Sequence, residues 1–325
     1  ILVILASITL YGMASVQKTA QVQRAKSQIA RIHELLMERW ESYETRSVNT
    51  MDFAEMVYTN GRERPPANSL RLLGNRELMR FELPDRISDL YPGSLPYNPN
   101  YPTAHLEGRV VLAQLPALAR YYRRKADPDN GWSSEHQSAE CLYLIISSIS
   151  VGDANALEFF GEDEIKDIDI DGVPEIIDPW GNPIGFIRWP AGYSLSGRVT
   201  INELPDATKA AESTDPFDLL GVESLNDATN NAGRIPHAIF PLIFSWGPDR
   251  KQGLFEFTQG YSYDSFVVRR TSLSGSQTEE VFWPNDPFMM VEQAGATVQA
   301  GQLNQNKRDD SLDNITNHLI SSGVK

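Results

Sequence analysis

The sequence has little of several residues and motifs that proteins use for chemistry. Its 325 residues include one cysteine, Cys141, and five histidines. A single cysteine excludes an internal disulfide and a cysteine-based metal site. The histidines do not pair at the spacing of a zinc helix, and neither a glycine-rich phosphate loop nor a nucleophile elbow occurs. We therefore expect the chain not to be an enzyme.

Basic residues are also scarce relative to acidic ones. The chain has 29 lysines and arginines against 43 aspartates and glutamates, a formal net charge of −14. An acidic surface argues against nucleic acid as a partner and fits cation binding or plain solubility. Hydrophobic residues make up 41% of the chain, which is enough for a sizeable core, so we expect most of it to fold.

The N-terminus lacks charge, and a long stretch after Gly12 lacks helix breakers. Residues 1–16 carry no charge, and neither Gly nor Pro occurs from Met13 to the residue before Gly61. At ~1.5 Å per residue, the uncharged stretch covers roughly 24 Å of a ~30 Å hydrocarbon core. We expect residues 1–16 to be the transmembrane part of a longer helix whose remaining apolar residues lie upstream of Ile1. A cleaved signal peptide is the alternative, but no cleavage-site loop follows.

Residues 17–50 are predicted to continue this helix in amphipathic form. Apolar residues recur there at steps of three and four, the spacing of one helix face. They are Val22, Ala25, Ile29, Ile32, Leu36, Trp40 and Tyr43. We expect this stripe to carry self-association together with residues 1–16, because we see no other burial for it once the helix leaves a membrane.

Residues 51–325 are predicted to form a globular domain with insertions at about 60–160 and 203–234. Proline-rich residues 60–108 indicate a connector, residues 109–125 and 133–149 indicate helices, and Ser133 or Ser134 is the expected cap of the second. The stretches "GFIRW", "GRVTIN", "AIFPLIFSW", "GLFEF" and "SFVVRR" indicate strands, and a polar tail runs from Gln293. Helices first and antiparallel strands last favour an α+β fold: a long N-terminal α-helix packed on a small antiparallel sheet.

An acidic stretch, "DIDIDGVPEIID", has the spacing of a calcium loop. Oxygen ligands at alternating positions wrap a hard cation, while a glycine at the sixth position permits the sharp turn. The candidate ligands are Asp167, Asp169, Asp171, the Val173 carbonyl, Glu175 and Asp178. We expect Ca²⁺ here, although the last position is Asp and not the usual Glu. The alternative is an acidic turn whose aspartates accept hydrogen bonds from backbone amides.

Three further segments carry a family resemblance. "DPWGNPIGFIRWP" (178–190), "IFSWGPDRKQG" (243–253) and "LDNITNH" (312–318) follow the apolar N-terminal helix in this order. They resemble the Asp-Pro-Trp-Gly-Asn-Pro motif, the following Ser-x-Gly-x-Asp turn and the late Asp-Asn-Ile segment of the major pseudopilin of type II secretion systems. The resemblance to pilin-like proteins covers about residues 1–50, 165–190, 240–257 and 309–318, and the remainder of the chain is interpreted as large insertions.

The resemblance implies a structural function. A pilin-like subunit is held in the bacterial inner membrane by one N-terminal span, with its C-terminal domain in the periplasm, and polymerises through that helix into a filament for protein secretion. Other secretion or pilus components are its implied partners. A prepilin leader, its processing site for N-terminal methylation and a nearby glutamate are expected upstream of Ile1. The family's calcium site maps onto Ser245, Asp249 and Asp313, with Arg250 where the family has Gly.

Two other functions remain open from the sequence. A calcium-dependent binding or adhesion module on a membrane stalk would also need the acidic loop and the N-terminal helix. A membrane-anchored hydrolase could use the same carboxylates as acid and base, but the carboxylates are only two residues apart and no cleft is evident. Both would share the anchor with the pilin-like subunit, and they differ from it in that their chains do not polymerise.

The amphipathic pattern generates a first prediction. Removing residues 1 to about 20 should yield a soluble, folded and mostly monomeric domain, because the remaining chain is acidic and keeps enough apolar residues for a core. Circular dichroism and size-exclusion chromatography of the truncated chain provide the measurement. A truncated chain that cannot be refolded in any buffer would show that the removed residues belong to the core.

Overall fold

The computed structural model describes three long continuous segments of the chain, residues 2–49, 67–91 and 114–190. The other described residues are 112, 215–218, 238–251, 253–254, 268–271, 278–281, 287, 291–293, 296–298, 301, 309–310 and 313–318. For residues 2–10 only the backbone is described. The expected strand "GRVTIN" and nearly all of the expected loop at 203–234 lie outside the described residues.

In the described part of the chain, the α-helices come first and the strands of small antiparallel sheets follow. The α-helices there are α1 (Leu2–Ser42), α2 (Ala67–Glu82), α3 (Ile87–Leu90), α4 (Ala117–Lys125) and α5 (Gln137–Ser147). The strands are β1 (Ser150–Val151), β2 (Ala154–Asn155), β3 (Ile165–Lys166), β4 (Glu175–Ile176), β5 (Gly185–Ile187), β6 (Leu242–Ser245), β7 (Val268–Thr271), β8 (Thr278–Val281), β9 (Val291–Gln293), β10 (Ala296–Val298) and β11 (Ile315–Thr316). This mixture is compatible with the expected α+β class.

Helix α1 is one continuous helix of 41 residues with two different environments. Large apolar side chains on its first half are exposed, with 81% of Tyr11, 67% of Met13 and 69% of Val16 open to solvent. The predicted stripe on its second half is buried from Ala25 to Tyr43. Among the helices of the described part of the chain, none meets the length and apolarity needed to cross a membrane.

The burial of the stripe corrects one expectation. Residues Ala25, Ile29, Ile32, Leu36, Trp40 and Tyr43 are each 0–1% exposed inside the chain's own core. Helix α1 packs there against β6, β11 and α5. The stripe therefore stabilises the domain from within, and it is not a surface through which copies of the chain could associate.

A three-stranded antiparallel sheet in the order β11-β6-β5 supports α1. Phe186 of β5 pairs with Ile243 of β6, and Ile315 of β11 pairs with Ser245. Gly185 lies opposite Phe244, whose ring leaves no room for a side chain, because a Cβ on Gly185 would come within 2.4 Å of the ring. Glycine in this strand allows the close approach of the aromatic ring.

Residues 67–91 are folded, which corrects the expectation of a connector in this range. Helices α2 and α3 and the turn between them bury Met79, Leu83 and Leu90 in the core. A buried arginine after β5 holds them, since Arg188 Nη1 donates to the Leu83 carbonyl at 2.7 Å and to Asp89 Oδ2 at 2.8 Å. The prolines of residues 60–108 led to the prediction of a connector, because the contacts with a distant strand that stabilise these helices cannot be read from local composition.

Two further expectations are corrected at segment ends. Helix α5 begins after His136, which has a left-handed φ of 59°, and not after a capping serine. Ser133 instead bonds to the acidic loop. The end of the chain is not a polar tail throughout, because residues 313–318 include β11, and both Asn317 and His318 are buried.

The position of α1 generates a second prediction. We expect Ile32→Ala to lower the free energy of unfolding by about 2–5 kcal/mol, because truncating a fully buried side chain leaves a cavity. Val16→Ala on the exposed half of the same helix is the matched control and should change it by no more than about 0.5 kcal/mol. Denaturant unfolding of both variants provides the measurement, and equal losses would contradict the burial of the stripe.

Candidate functional site

The acidic loop after β3 is held by hydrogen bonds to its own backbone. Asp167 accepts from the amides of Asp171 at 3.2 Å and Gly172 at 3.0 Å. Asp171 Oδ1 accepts from the amide of Val173 at 2.9 Å. Gly172 has a φ of 98°, which fits the requirement for glycine at the sixth position of the motif. These are the hydrogen bonds of the acidic-turn alternative, and they also shape the loop.

A second element, the segment leading into α5, meets this loop. The Ser133 amide donates to Asp171 Oδ2 at 2.6 Å, and the Ser133 hydroxyl donates to Asp169 Oδ2 at 3.0 Å. The contact brings together residues that are 38 and 36 positions apart in sequence. It places the first turn of α5 against the two aspartates.

Three carboxylates converge where the loop meets α5. One oxygen each of Glu140, Asp169 and Asp171 lies within 4.8 Å of the other two. Glu140 is completely buried, whereas the two aspartates are partly open to solvent. The Trp132 indole donates to Glu140 Oε2 at 2.7 Å. This group, Glu140 with Asp169 and Asp171, is called the acidic cluster below.

The acidic cluster is electrostatically strained. Burial raises the pKa of Glu140 to about 10, and the charges of Asp171 and Asp169 add to the rise against the Trp132 hydrogen bond. Burial likewise raises the pKa of neighbouring Glu175 to about 7, with the same two aspartates and Asp167 contributing. Burial and neighbouring negative charges favour the protonated form of a carboxyl group, whereas a bound cation favours the ionised form.

Several carboxylate oxygens of the cluster region have no hydrogen-bond partner among the described residues. They are Glu140 Oε1, Asp169 Oδ1 and Glu175 Oε1, and all three atoms are buried. The second oxygen of Glu175 accepts from the Ile168 amide at 3.0 Å. Buried polar atoms are nearly always hydrogen-bonded in folded proteins, so we expect a water molecule, a shared proton or a bound cation beside these three oxygens.

Asp178, the expected ligand at position 12 of the loop, lies outside the acidic cluster and belongs to a different hydrogen-bond network. Its Oδ1 accepts from the amides of Trp180 and Asn182, and its Oδ2 accepts from the Asn182 side-chain amide and the Ser245 hydroxyl at 2.6 Å. Four donors satisfy this buried carboxylate, and it is not part of the acidic cluster. Asp178 organises the "DPWGNP" turn and links it to β6.

The second predicted calcium group is brought together only in part. Asp313 Oδ2 accepts from the Asp249 amide at 3.2 Å, although the two residues are 64 positions apart. Asp249 Oδ1 is used by the Lys251 amide at 2.9 Å. The Ser245 hydroxyl donates to Asp178 and accepts from the Gly247 amide. Among the described residues, the recorded contact within this group is therefore the bond between Asp313 and the Asp249 amide, and the Ser245 hydroxyl bonds Asp178.

The three segments that carry the family resemblance nevertheless meet at one place. Asn182 donates to the Gly247 carbonyl at 3.0 Å, which joins the first segment to the second. Gly247, with a φ of 76°, lies so close to Asp313 that a Cβ would come within 2.4 Å of the Asp313 carbonyl oxygen. Their sequence motifs therefore describe one turn-and-sheet junction. We name it the motif junction.

Sequence reasoning missed Glu140 and Trp132 as members of the site. The available signal was an acidic residue in "AECLYLII", a stretch that is otherwise apolar and helical. A buried glutamate on such a helix needs a partner, but the partner's identity depends on the loop that folds over it. The sequence spacing of the aspartates had identified Asp169 and Asp171.

Comparison of the chain with known proteins adds no family. It finds no matching protein-family model, no similar curated protein and no similar solved structure. The resemblance to the major pseudopilin therefore rests on the quoted residues and stays a prediction.

The hydrogen bonds of Asp178 generate a third prediction. We expect Asp178→Ala to lower the free energy of unfolding by about 2–4 kcal/mol, because buried donors lose their acceptor. The loss should be equal in calcium and in chelator, since Asp178 acts through the turn. Exposed Asp167→Ala is the control and should cost less. Thermal melts in both buffers provide the measurement, and a loss seen only in calcium would restore Asp178 as a ligand.

Proposed function

We propose that the chain is a pilin-like structural subunit that assembles through the first half of α1 into a filament supporting protein secretion. The observation that carries the proposal is the difference between Tyr11, Met13 and Val16, which are exposed apolar residues of α1, and the later stripe of α1, which is buried in the domain. The motif junction supports it further, because three segments similar to pseudopilin motifs lie together beside the helix. Under this proposal the subunit passes from the bacterial inner membrane into a periplasmic or surface filament.

The exposed half of α1 suits a role as an assembly arm, a name used here for residues 2–20. Lys18 is the first charged residue of the chain, and at ~1.5 Å per residue the arm is about 28 Å long. Tyr11, Met13 and Val16 project into solvent although they are apolar. Clustered apolar side chains of this kind mark a surface that contacts lipid or another chain.

The proposal places self-association in the arm alone. The stripe from Ala25 to Tyr43 already packs in the chain's own core, so it anchors the arm to the domain. Arg24 adds a polar contact between α1 and the domain, because its guanidinium donates to Asp163 Oδ2 at 2.7 Å and to Glu164. The arm thus starts where the domain ends, and packing of arms from several subunits would bury the residues that one subunit leaves open.

A fourth prediction tests the assembly arm by crosslinking. Cys141 is buried, so a cysteine introduced by Val16→Cys is the accessible thiol of the full-length chain. Oxidation in membranes or detergent should give covalent dimers, because arms of neighbouring subunits pack together. Adding Tyr11→Asp should reduce the dimers at least tenfold, since a charge in an apolar contact is costly. Asp153→Cys, on the exposed turn between β1 and β2, is the control for random collision.

The outcome separates the proposed function from its competitor. Dimers from Val16→Cys, filaments by electron microscopy and loss of both in the Tyr11→Asp variant support a filament subunit. A chain that stays monomeric in membranes, with equal weak crosslinking from both cysteines, contradicts it. Such a result would favour the membrane-anchored calcium-dependent binding module, for which the acidic cluster is the relevant observation.

A further inference from the structure

We propose that Glu140, Asp169 and Asp171 bind one calcium ion between α5 and the acidic loop. This site differs from the twelve-residue loop expected from the sequence, because Glu140 replaces Asp178 and a helix supplies the buried ligand. The site does not depend on the filament proposal. Its ligand belongs to one chemical class, the hard divalent cations.

The geometry of the cluster fits such a cation. Three carboxylate oxygens within 4.8 Å of one another need only a small inward movement of their side chains to reach the distance of about 2.3–2.6 Å at which oxygen ligands bind Ca²⁺. The remaining positions of a six- to eight-oxygen shell face the partly open side of the cluster, where water can complete them. Lysine and arginine are not among the hydrogen-bond partners found for the three carboxylates in the described part of the chain.

A second observation points to a ligand independently of the clustering. Glu140 is 0% exposed, and no N–H or hydroxyl group of the described residues donates to its Oε1, while the neighbouring side chain that can share a proton with Glu140 is the Asp171 carboxyl. The Glu140 Oε2 is fixed by the Trp132 indole, so the side chain cannot turn out to water without losing that bond. A buried carboxylate held in this way is costly unless a positive charge compensates it.

The surrounding groups hold the ligands in position. Ser133 bonds both aspartates, and the Asp171 carboxylate also accepts from the Val173 amide. Glu175 places a further buried carboxylate oxygen next to the loop and bonds the Ile168 amide with its other oxygen. Hydrogen bonds to ligand carboxylates orient them and strengthen metal binding in known metalloproteins.

Binding at this place would join two separate elements. Glu140 belongs to α5, which packs on β4, β5 and α1, whereas Asp169 and Asp171 belong to the loop between β3 and β4. A cation between them would act as a clamp from the loop to the core. Because the unfolded chain does not assemble these ligands, calcium should stabilise the folded state by mass action.

The test uses Trp132 as a built-in reporter. Terbium(III) has calcium-like oxygen chemistry, and an indole next to it sensitises its luminescence. With the full-length chain in detergent, we expect tryptophan-excited terbium emission that CaCl₂ displaces at a stoichiometry of one. Trp132→Phe should lower the emission severalfold. Isothermal titration with CaCl₂, and with MgCl₂ as the selectivity arm, gives the affinity directly.

Glu140→Gln is the decisive variant, because Gln keeps an oxygen acceptor for Trp132 and removes the charge. It should lower calcium affinity at least tenfold, while its melting temperature in chelator stays equal to or above that of the parent chain. Asp153→Asn removes one exposed carboxylate elsewhere and should leave the affinity unchanged. Asp249→Ala tests the second predicted group and should also leave it unchanged.

Two results would overturn the proposal. Identical melting curves in calcium and chelator, with no heat and no sensitised emission, would show that Glu140 simply shares a proton with its neighbours. Calcium binding that survives Glu140→Gln but is lost in Asp249→Ala would place the ion at the other group of aspartates. Neither result touches the crosslinking test of the assembly arm, so the two proposals fail separately.

Discussion

The burial of one face of α1 is the constraint on which the rest of the described structure depends. Ile29, Ile32 and Leu36 are fully buried between α5 and the sheet, and they hold together segments from both ends of the chain. Polar contacts set the exact position of the helix, since Gln28 donates to the Ile177 carbonyl and Asn317 bonds His33. An apolar face alone permits sliding, whereas buried polar groups that need partners do not.

Charge burial is handled in two ways in this domain. Around Arg188, the guanidinium is paired with a buried carboxylate and with backbone carbonyls. Burial alone would raise the pKa of Asp85, but the positive charges of Arg188 and Arg86 lower it overall. Asp178 is buried as well, and four donors surround it. The acidic cluster lacks such compensation among the described residues, since a buried glutamate there faces two aspartates. This contrast singles out the cluster as a place for a cation.

The division of α1 connects the fold to the proposed function. The buried half packs in the domain, and under the proposal Tyr11, Met13 and Val16 would be buried against another subunit for the same physical reason, because exposed apolar side chains are costly in water. A filament made from such subunits would bury the arms and leave the domains at its surface. In that arrangement, a calcium clamp between α5 and the acidic loop would stiffen the part of the subunit that stays exposed.

The sequence by itself determined the features that have a local cause. Apolar residues recur every three to four positions in a stretch without Gly or Pro, and this pattern predicted the helix and its apolar face from Ala25 to Tyr43. The spacing of the aspartates identified Asp169 and Asp171, and "DPWGNP" identified a turn. Only the tertiary structure decided that α2 is folded, that Asp178 bonds Ser245 and that Glu140 joins the aspartates. Those outcomes depend on pairing between residues far apart along the chain, as in the Asp178–Ser245 bond, whose partners are separated by 67 positions. Local patterns do not encode such pairing, because it is chosen by the packing of the whole core.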